Sequence, residues 1–141
     1  MFGWMKSKPV IVKAKTLGQL GEERAQEEYK RQGCKIIAAN EYNKKGKRLG
    51  EIDFIAVDKN RIIFVEVKTR NTYSTKFGTG AEAVNVFKQR KILAAVKMYF
   101  LRKPQYLDLK PQIDMCVMEY DGVDKIFRPA KIIANAVEDW N

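Results

Sequence analysis

Histidine is absent from this chain of 141 residues, and its absence excludes a wide range of chemistry. Without an imidazole, the protein has no histidine base, histidine nucleophile or histidine metal ligand. Its two cysteines, Cys34 and Cys116, are far apart in the sequence and cannot complete a four-ligand zinc site without histidine. Both lie in apolar stretches, which predicts buried free thiols in a reducing compartment rather than a disulfide.

Long apolar runs are absent as well. No segment approaches the roughly 18–20 consecutive apolar residues that a membrane-spanning helix requires. Residues 1–15 carry positive charge but no apolar segment of signal-peptide length, and this composition is typical of a basic arm. We therefore expect a cytoplasmic protein without a membrane partner, in which residues 16–141 form a single domain.

Acidic residues are few relative to basic ones. The chain has 17 Asp and Glu against 27 Lys and Arg, which gives a net charge of +10 and a pI near 9.6. Such an excess favours a polyanionic partner, because basic side chains that neutralise phosphates release condensed counterions. The alternative is a basic surface that binds no polyanion.

The order of apolar patterns predicts an α/β protein with a mixed β-sheet flanked by helices. A capping box at Thr16–Gln19 begins a helix that Gly33 ends. Further along, the patterns predict strands at Lys35–Tyr42, Glu51–Val57, Arg61–Lys68 and Gln112–Tyr120, an edge strand at Lys125–Arg128, and helices at Phe87–Arg102 and Ala130–Val137. The main elements thus follow the order α-β-β-β-α-β.

Two acidic residues fall at matching positions of the second and third predicted strands. Side chains alternate across a strand, so Asp53 is expected to share a face with Ile55 and Val57. A two-residue turn at Lys59-Asn60 would place Asp53 directly opposite Glu66, with Cβ atoms roughly 4.5–5.5 Å apart. Like charges at that distance repel, whereas a divalent cation between them removes the repulsion. The pairing therefore predicts a site for a hard cation such as Mg²⁺ or Mn²⁺.

The same register places Glu51, an accessory acid, opposite Lys68, a donor suited to orienting a water or stabilising charge on a phosphate. The Glu-x-Lys pattern is weak evidence alone, because Glu28-Tyr29-Lys30 repeats it on the first predicted helix. A surface cluster of salt bridges explains the same residues without a metal. An odd number of turn residues would put the two paired acids on opposite faces.

The segments Gly50–Ala56 and Phe64–Arg70 closely resemble the YraN family of small bacterial proteins. The similarity extends to Gly21-Glu22-x-x-Ala25, Phe77–Thr79, Ala81–Val84, Lys88–Lys91 and the strand around Asp114, so it covers Leu17–Ala136 in order. That family is assigned to the restriction-endonuclease-like fold and is similar to archaeal Holliday junction resolvases. The resemblance therefore implies a metal-dependent endonuclease that acts on DNA, in particular on structured or branched DNA.

The resemblance also assigns roles to individual positions. It implies that Asp53, Glu66 and the backbone carbonyl of Val67 bind Mg²⁺ or Mn²⁺, and that the catalytic residues are Asp53, Glu66, Lys68, Glu22 and Gln89. From the residues alone, Glu22 is equally well explained as a solvated helix residue, and Gln89 as an ordinary residue at the start of a helix. Asp114 matches a family position, and a structural hydrogen bond is the favoured explanation for it.

Basic residues near the site in sequence are the expected contacts to nucleic acid, through backbone phosphates rather than bases. They are Lys44, Lys45, Lys47, Arg48, Arg70, Lys76, Lys88, Arg90 and Lys91. Junction-cutting relatives act as two-fold dimers, so the resemblance also implies a homodimer. The alternatives are a nucleic-acid-binding protein that keeps the fold without the chemistry, and a scaffold with no nucleic-acid partner.

Overall fold

The computed structural model describes residues 14–39, 52–72 and 86–137. These residues form the helices α1 (Leu17–Arg31) and α2 (Val86–Arg102), a short 3-10 helix at Pro104–Tyr106, and the strands β1 (Lys35–Ala39), β2 (Phe54–Val57), β3 (Arg61–Asn71), β4 (Lys110–Asp121), β5 (Ile126–Phe127) and β6 (Lys131–Ile133). No helix within these ranges has the length and apolar character needed to cross a membrane. The predicted N-terminal arm lies outside the described residues, apart from Ala14 and Lys15, which are exposed.

Helix α1 begins and ends where the sequence predicts. The Thr16 side chain accepts a hydrogen bond from the Gln19 N–H, and the Gln19 side chain accepts one from the Thr16 N–H, which completes the capping box. At the other end Gly33 has φ 95°, a left-handed conformation that glycine adopts without steric cost. The helix buries Gly21, Ala25 and Tyr29, so the face expected to pack on the sheet is confirmed.

The strands form one mixed sheet in the order β1-β2-β3-β4-β5, with β6 also paired to β4. Neighbouring strands are antiparallel except β3 and β4, which run parallel over eleven residue pairs from Arg61↔Lys110 to Asn71↔Tyr120. A parallel pair needs a crossover connection, and α2 lies in the segment that makes it. The predicted α/β fold, with a mixed sheet flanked by helices, is confirmed, and it is compatible with the restriction-endonuclease-like fold.

Strand β3 is the middle strand of the sheet, and an apolar cluster covers each of its two faces. Ile63 and Val65 pack with Tyr29 of α1, whereas Ile62 and Phe64 pack with residues of α2 such as Ile92 and Val96. Alternation of side chains across the strand produces these two clusters from one continuous apolar run. The residues that follow, Glu66 to Lys68, are therefore carried by a strand that is fixed on both faces.

The helix predicted at Ala130–Val137 is wrong. The chain there forms β6, in which Ile132 pairs antiparallel with Cys116 of β4. Two adjacent β-branched residues, Ile132 and Ile133, favour a strand, and the edge of β4 offers the hydrogen-bonding partners. A positive φ of 52° at Asn135 then ends the segment in a turn.

Candidate functional site

The register between β2 and β3 determines where the two paired acids lie. The four pairs from Phe54↔Val65 to Val57↔Ile62 confirm the predicted register. One residue further, the Asp53 N–H donates to the Val65 carbonyl at 2.9 Å, although Val65 is already paired with Phe54. Two successive residues therefore face one partner, which is the arrangement of a β-bulge.

This bulge changes the face on which Asp53 lies. Ile52 and Ile55 both pack in the core on the α2 side, although a regular strand would put residues three apart on opposite faces. The predicted shared face of Asp53 with Ile55 and Val57 is therefore wrong, and so is its predicted position directly opposite Glu66, because Asp53 bonds to Val65 instead. Asp53 lies instead on the α1 side, where its carboxyl group hydrogen-bonds with Glu22.

The Asp53 carboxylate replaces a main-chain hydrogen-bond acceptor at the point where the pairing of β2 with β3 ends. Its Oδ2 accepts a hydrogen bond of 2.7 Å from the N–H of Val67, two residues beyond Val65. A regular β2 would have supplied a main-chain carbonyl for that N–H. In a β-strand the N–H and C=O of one residue point toward the same neighbouring strand. The Val67 carbonyl therefore points, like the Val67 N–H, toward the edge of β3 at which Asp53 lies.

A close contact between α1 and β3 brings Glu22 to the site. A Cβ atom at Gly21 would lie 2.0 Å from the Thr69 Oγ1 atom, so only a glycine permits this approach. Glu22 is the next residue, half-buried, and its side chain reaches Asp53. The structure thus brings Glu22 to the site rather than leaving it as a fully solvated helix residue.

Acidic groups crowd around Asp53. Burial raises the pKa of Asp53, the hydrogen bond from Val67 lowers it, and the charges of Glu22 and Glu66 raise it, to a value of about 8. In the absence of a cation, burial and the neighbouring acids therefore favour the protonated form of Asp53. A positive charge placed among these carboxylates would favour their ionised form.

Glu66 has a partner that the sequence did not predict. Its carboxylate is buried and forms a salt bridge with Lys88, in the first turn of α2. The sequence placed Lys88 only among the nucleic-acid contacts. No signal in the sequence identified this partner, because the contact depends on how α2 packs against β3.

The remaining predicted catalytic residues surround this pair. Lys68 lies two residues after Glu66 on β3, so its side chain leaves the strand on the same face. Lys68 is half-buried, and it pairs through its main chain with Val117 of β4. Gln89 follows Lys88 in α2 and is also half-buried. Glu51 lies outside the described residues.

The predicted nucleic-acid contacts are only partly within the described residues. Lys44, Lys45, Lys47, Arg48 and Lys76 lie outside them. Arg90 and Lys91 are exposed on α2, with the Lys91 Nζ atom 4.6 Å from the centre of the Phe87 ring. Arg70 is half-buried and lies near Glu119, whose pKa is lowered first by a hydrogen bond from Lys131 and then by neighbouring positive charges that include Arg70. Arg70 therefore has a structural explanation as well.

Asp114 is a structural residue. Its Oδ2 accepts a hydrogen bond of 2.7 Å from the Tyr29 hydroxyl, and its Oδ1 accepts bonds from the Gln112 amide at 2.8 Å and the Asn135 N–H at 3.2 Å. These bonds connect α1, β4 and the turn after β6. The predicted hydrogen-bonding role is confirmed.

The oxygen donors in the middle of β3, where β2 leaves it, fit a hard divalent cation. Across the described ranges, no three Asp, Glu or Cys side chains form a metal-holding group, so a cation would rely on fewer side chains. The fitting donors are the Asp53 and Glu66 carboxylates and the Val67 carbonyl, which are all oxygens. Mg²⁺ and Mn²⁺ prefer such oxygen ligands and complete their coordination with water.

Comparisons with known proteins agree with the motifs. Residues 21–119 match the model of a family described as uncharacterised protein family UPF0102. A UPF0102 protein of Caldanaerobacter subterraneus subsp. tengcongensis is 41% identical over 104 residues, which cover 74% of this chain and 80% of that protein. Another, from Caldicellulosiruptor saccharolyticus, is 39% identical over 120 residues, covering 85% of this chain and 95% of the relative. This chain therefore belongs to the UPF0102 family, which is the YraN family that its motifs resemble.

Proposed function

We propose that this protein is a metal-dependent endonuclease that hydrolyses phosphodiester bonds in DNA, with structured or branched DNA as its substrate. The observation that carries the proposal is the proximity of Asp53 to Glu66 and Val67 in the middle of β3, in a chain with a net charge of +10. The acidic cluster suits a cation, and the basic residues of the protein suit a phosphate that binds beside that cation.

Each residue of the site has a separate role in the proposed reaction. Asp53, Glu66 and the Val67 carbonyl would hold Mg²⁺ or Mn²⁺, and a bound cation supplies Lewis acidity toward the phosphodiester. Glu22 fixes the Asp53 carboxyl group through their hydrogen bond. Lys68 donates to a phosphate oxygen on which negative charge increases during attack by water. Water adds to phosphorus as the bond to one sugar oxygen breaks, leaving a phosphate monoester and an alcohol.

Cleavage assays with matched variants test this function. Labelled four-way junctions, flaps and linear duplexes are incubated with the protein in Mg²⁺, Mn²⁺ or EDTA. We expect metal-dependent cleavage that Asp53→Asn reduces by at least about 100-fold, the scale of losing a group needed in the transition state. Glu27→Gln removes an equal charge from an exposed position of α1 and should leave cleavage unchanged. Cleavage that resists EDTA, or that survives in Asp53→Asn, would contradict the proposal.

A second candidate is a nucleic-acid-binding protein that performs no chemistry. The observation that favours it is the internal pairing of the acids, because Lys88 forms a salt bridge with Glu66 and the surroundings of Asp53 favour its protonated form. A site neutralised in this way is stable without a metal. Tight binding of junctions in EDTA, with no cleavage in either metal, would support this candidate.

A further inference from the structure

The salt bridge between Lys88 and Glu66 joins α2 to the middle of β3. The Glu66 side chain is 10% exposed and the Lys88 side chain 26%, so both charges are largely withdrawn from water. Withdrawing charges from water is costly, and a pair in this position needs close contact to offset that cost. Lys88 therefore serves as the counter-ion of a buried carboxylate in the cation-free protein.

The position of Lys88 is unfavourable for the helix itself. In the described part of the chain α2 begins at Val86, and its first turn contains no acidic residue. Lys88 there places a positive charge near the positive end of the helix dipole, which opposes the dipole. Stability of α2 does not explain this residue, whereas contact with Glu66 does.

A divalent cation and the Lys88 ammonium would be partners of the same carboxylate, that of Glu66. Glu66 is one of the two carboxylates that fit the cation, and Lys88 already contacts its Oε1 atom. Two positive charges at contact distance from one carboxylate repel each other strongly in a largely buried site. Binding of the cation therefore weakens the contact of Lys88 with Glu66 and favours movement of Lys88 away from it.

We propose that Lys88 is an exchangeable counter-ion, which pairs with Glu66 in the cation-free protein and transfers to a phosphate of the nucleic acid when the cation binds. This inference rests on the metal centre of the proposed function. It gives Lys88 a positioning role rather than a purely structural one. The exchange also couples the binding of the cation to the binding of nucleic acid. A phosphate that accepts Lys88 removes a competitor of the cation, and a bound cation releases Lys88 for the phosphate.

Binding of Mn²⁺ in the absence of nucleic acid tests the exchange directly. Calorimetry or electron paramagnetic resonance compares the wild type with Lys88→Met, Lys88→Arg and Lys97→Met, an exposed lysine of the same helix that controls for overall charge. We expect Lys88→Met to bind Mn²⁺ about 5- to 150-fold more tightly than Lys97→Met, the range of coupling between interacting sites. Lys88→Arg keeps the positive charge and should restore weak binding. Unfolding curves in EDTA verify that each variant is folded.

A second measurement tests the transfer of Lys88 to a phosphate of the nucleic acid. Binding of a non-cleaved phosphorothioate junction is measured with and without Mn²⁺. We expect Mn²⁺ to tighten binding by the wild type, and this enhancement to shrink in Lys88→Met.

The outcomes separate this inference from the proposed function. If the wild type binds Mn²⁺ and Asp53→Asn abolishes binding, but Lys88→Met binds no more tightly than Lys97→Met, the exchange is overturned and the metal centre stands. If neither the wild type nor Lys88→Met binds Mn²⁺, both proposals fail. Binding by Lys88→Met alone would support the exchange in its strongest form.

Discussion

The surroundings of Asp53 have opposing effects on the ionisation of its carboxyl group. Its carboxylate accepts the Val67 N–H, a contact that favours the ionised form, while burial and two neighbouring acids favour the protonated form. The balance gives a carboxyl group with a pKa of about 8 in the cation-free protein. Perturbation of this kind, by burial together with specific charged partners, is characteristic of functional sites.

The titration of Asp53 predicts how stability changes with pH in the presence of EDTA. Its pKa in the folded protein, about 8, is above its ordinary value of 3.8, so the folded state keeps a proton that the unfolded state releases. The free energy of unfolding should therefore fall as the pH rises from about 4 to about 8. Asp53→Asn should flatten this dependence, and denaturant unfolding at several pH values measures it.

Asp58→Asn provides the matched control for that experiment. The pKa of Asp58 is lowered, mainly by the hydrogen bond from Arg61, so its contribution to stability is lost only below about pH 4. This variant should keep the wild-type slope between pH 5 and pH 8. An unchanged slope in Asp53→Asn would show that another group is responsible.

Helix α1 is held against β3 at a single glycine. Gly21→Ala would improve helix propensity by up to about 1 kcal/mol, but its Cβ would collide with Thr69. We expect a net loss of about 1–3 kcal/mol of stability, the usual cost of overpacking. The shifted helix would also carry Glu22 away from Asp53, so the pH dependence described above should weaken.

Gly18 lies in the same helix and allows a direct comparison. A Cβ there would meet only the Thr16 Oγ1 atom, at an ordinary distance of 3.8 Å. Gly18→Ala should therefore raise the denaturation midpoint slightly, while Gly21→Ala lowers it. Changes of the same sign in both variants would argue against a steric contact at Gly21.

Elements with local signals were predicted well from the sequence. The capping box at Thr16 and the glycine at position 33 fix α1 through neighbouring residues, and the two-residue turn fixes the register of β2 and β3. The strand β6 was missed because a short apolar segment after a proline fits either a helix or a strand, and pairing with β4 decides between them.

The candidate site was predicted in part for the same reason. Alternation predicted Asp53 opposite Glu66, but it did not predict the bulge that places Asp53 beside Val65 on the other face of the sheet. The contact of Lys88 with Glu66 likewise depends on the packing of α2 as a crossover. Contacts between distant elements are set by tertiary structure, which strand alternation alone does not describe.

At the scale of the whole molecule, the buried thiols report on global unfolding. Cys116 is fully buried, and burial, followed by the charges of Glu28 and Asp114, raises its pKa to about 12. We expect Cys116 in a Cys34→Ser background to react with a disulfide reagent only in molecules that have unfolded globally. The rate should increase with denaturant in parallel with the unfolded fraction. Rapid reaction in native buffer would indicate local opening of β4.

The parallel pairing of β3 with β4 has a consequence for folding. The β2–β3 hairpin is local and can form early, whereas pairs such as Arg61↔Lys110 require closure of a long loop and form slowly. Until β4 docks, one edge of β3 remains open to pairing with another chain. Lys68 and Arg70 lie on that edge strand, and charged side chains deter aggregation between open edges. The basic residues beside the acids would thus keep the nascent chain soluble before the site exists.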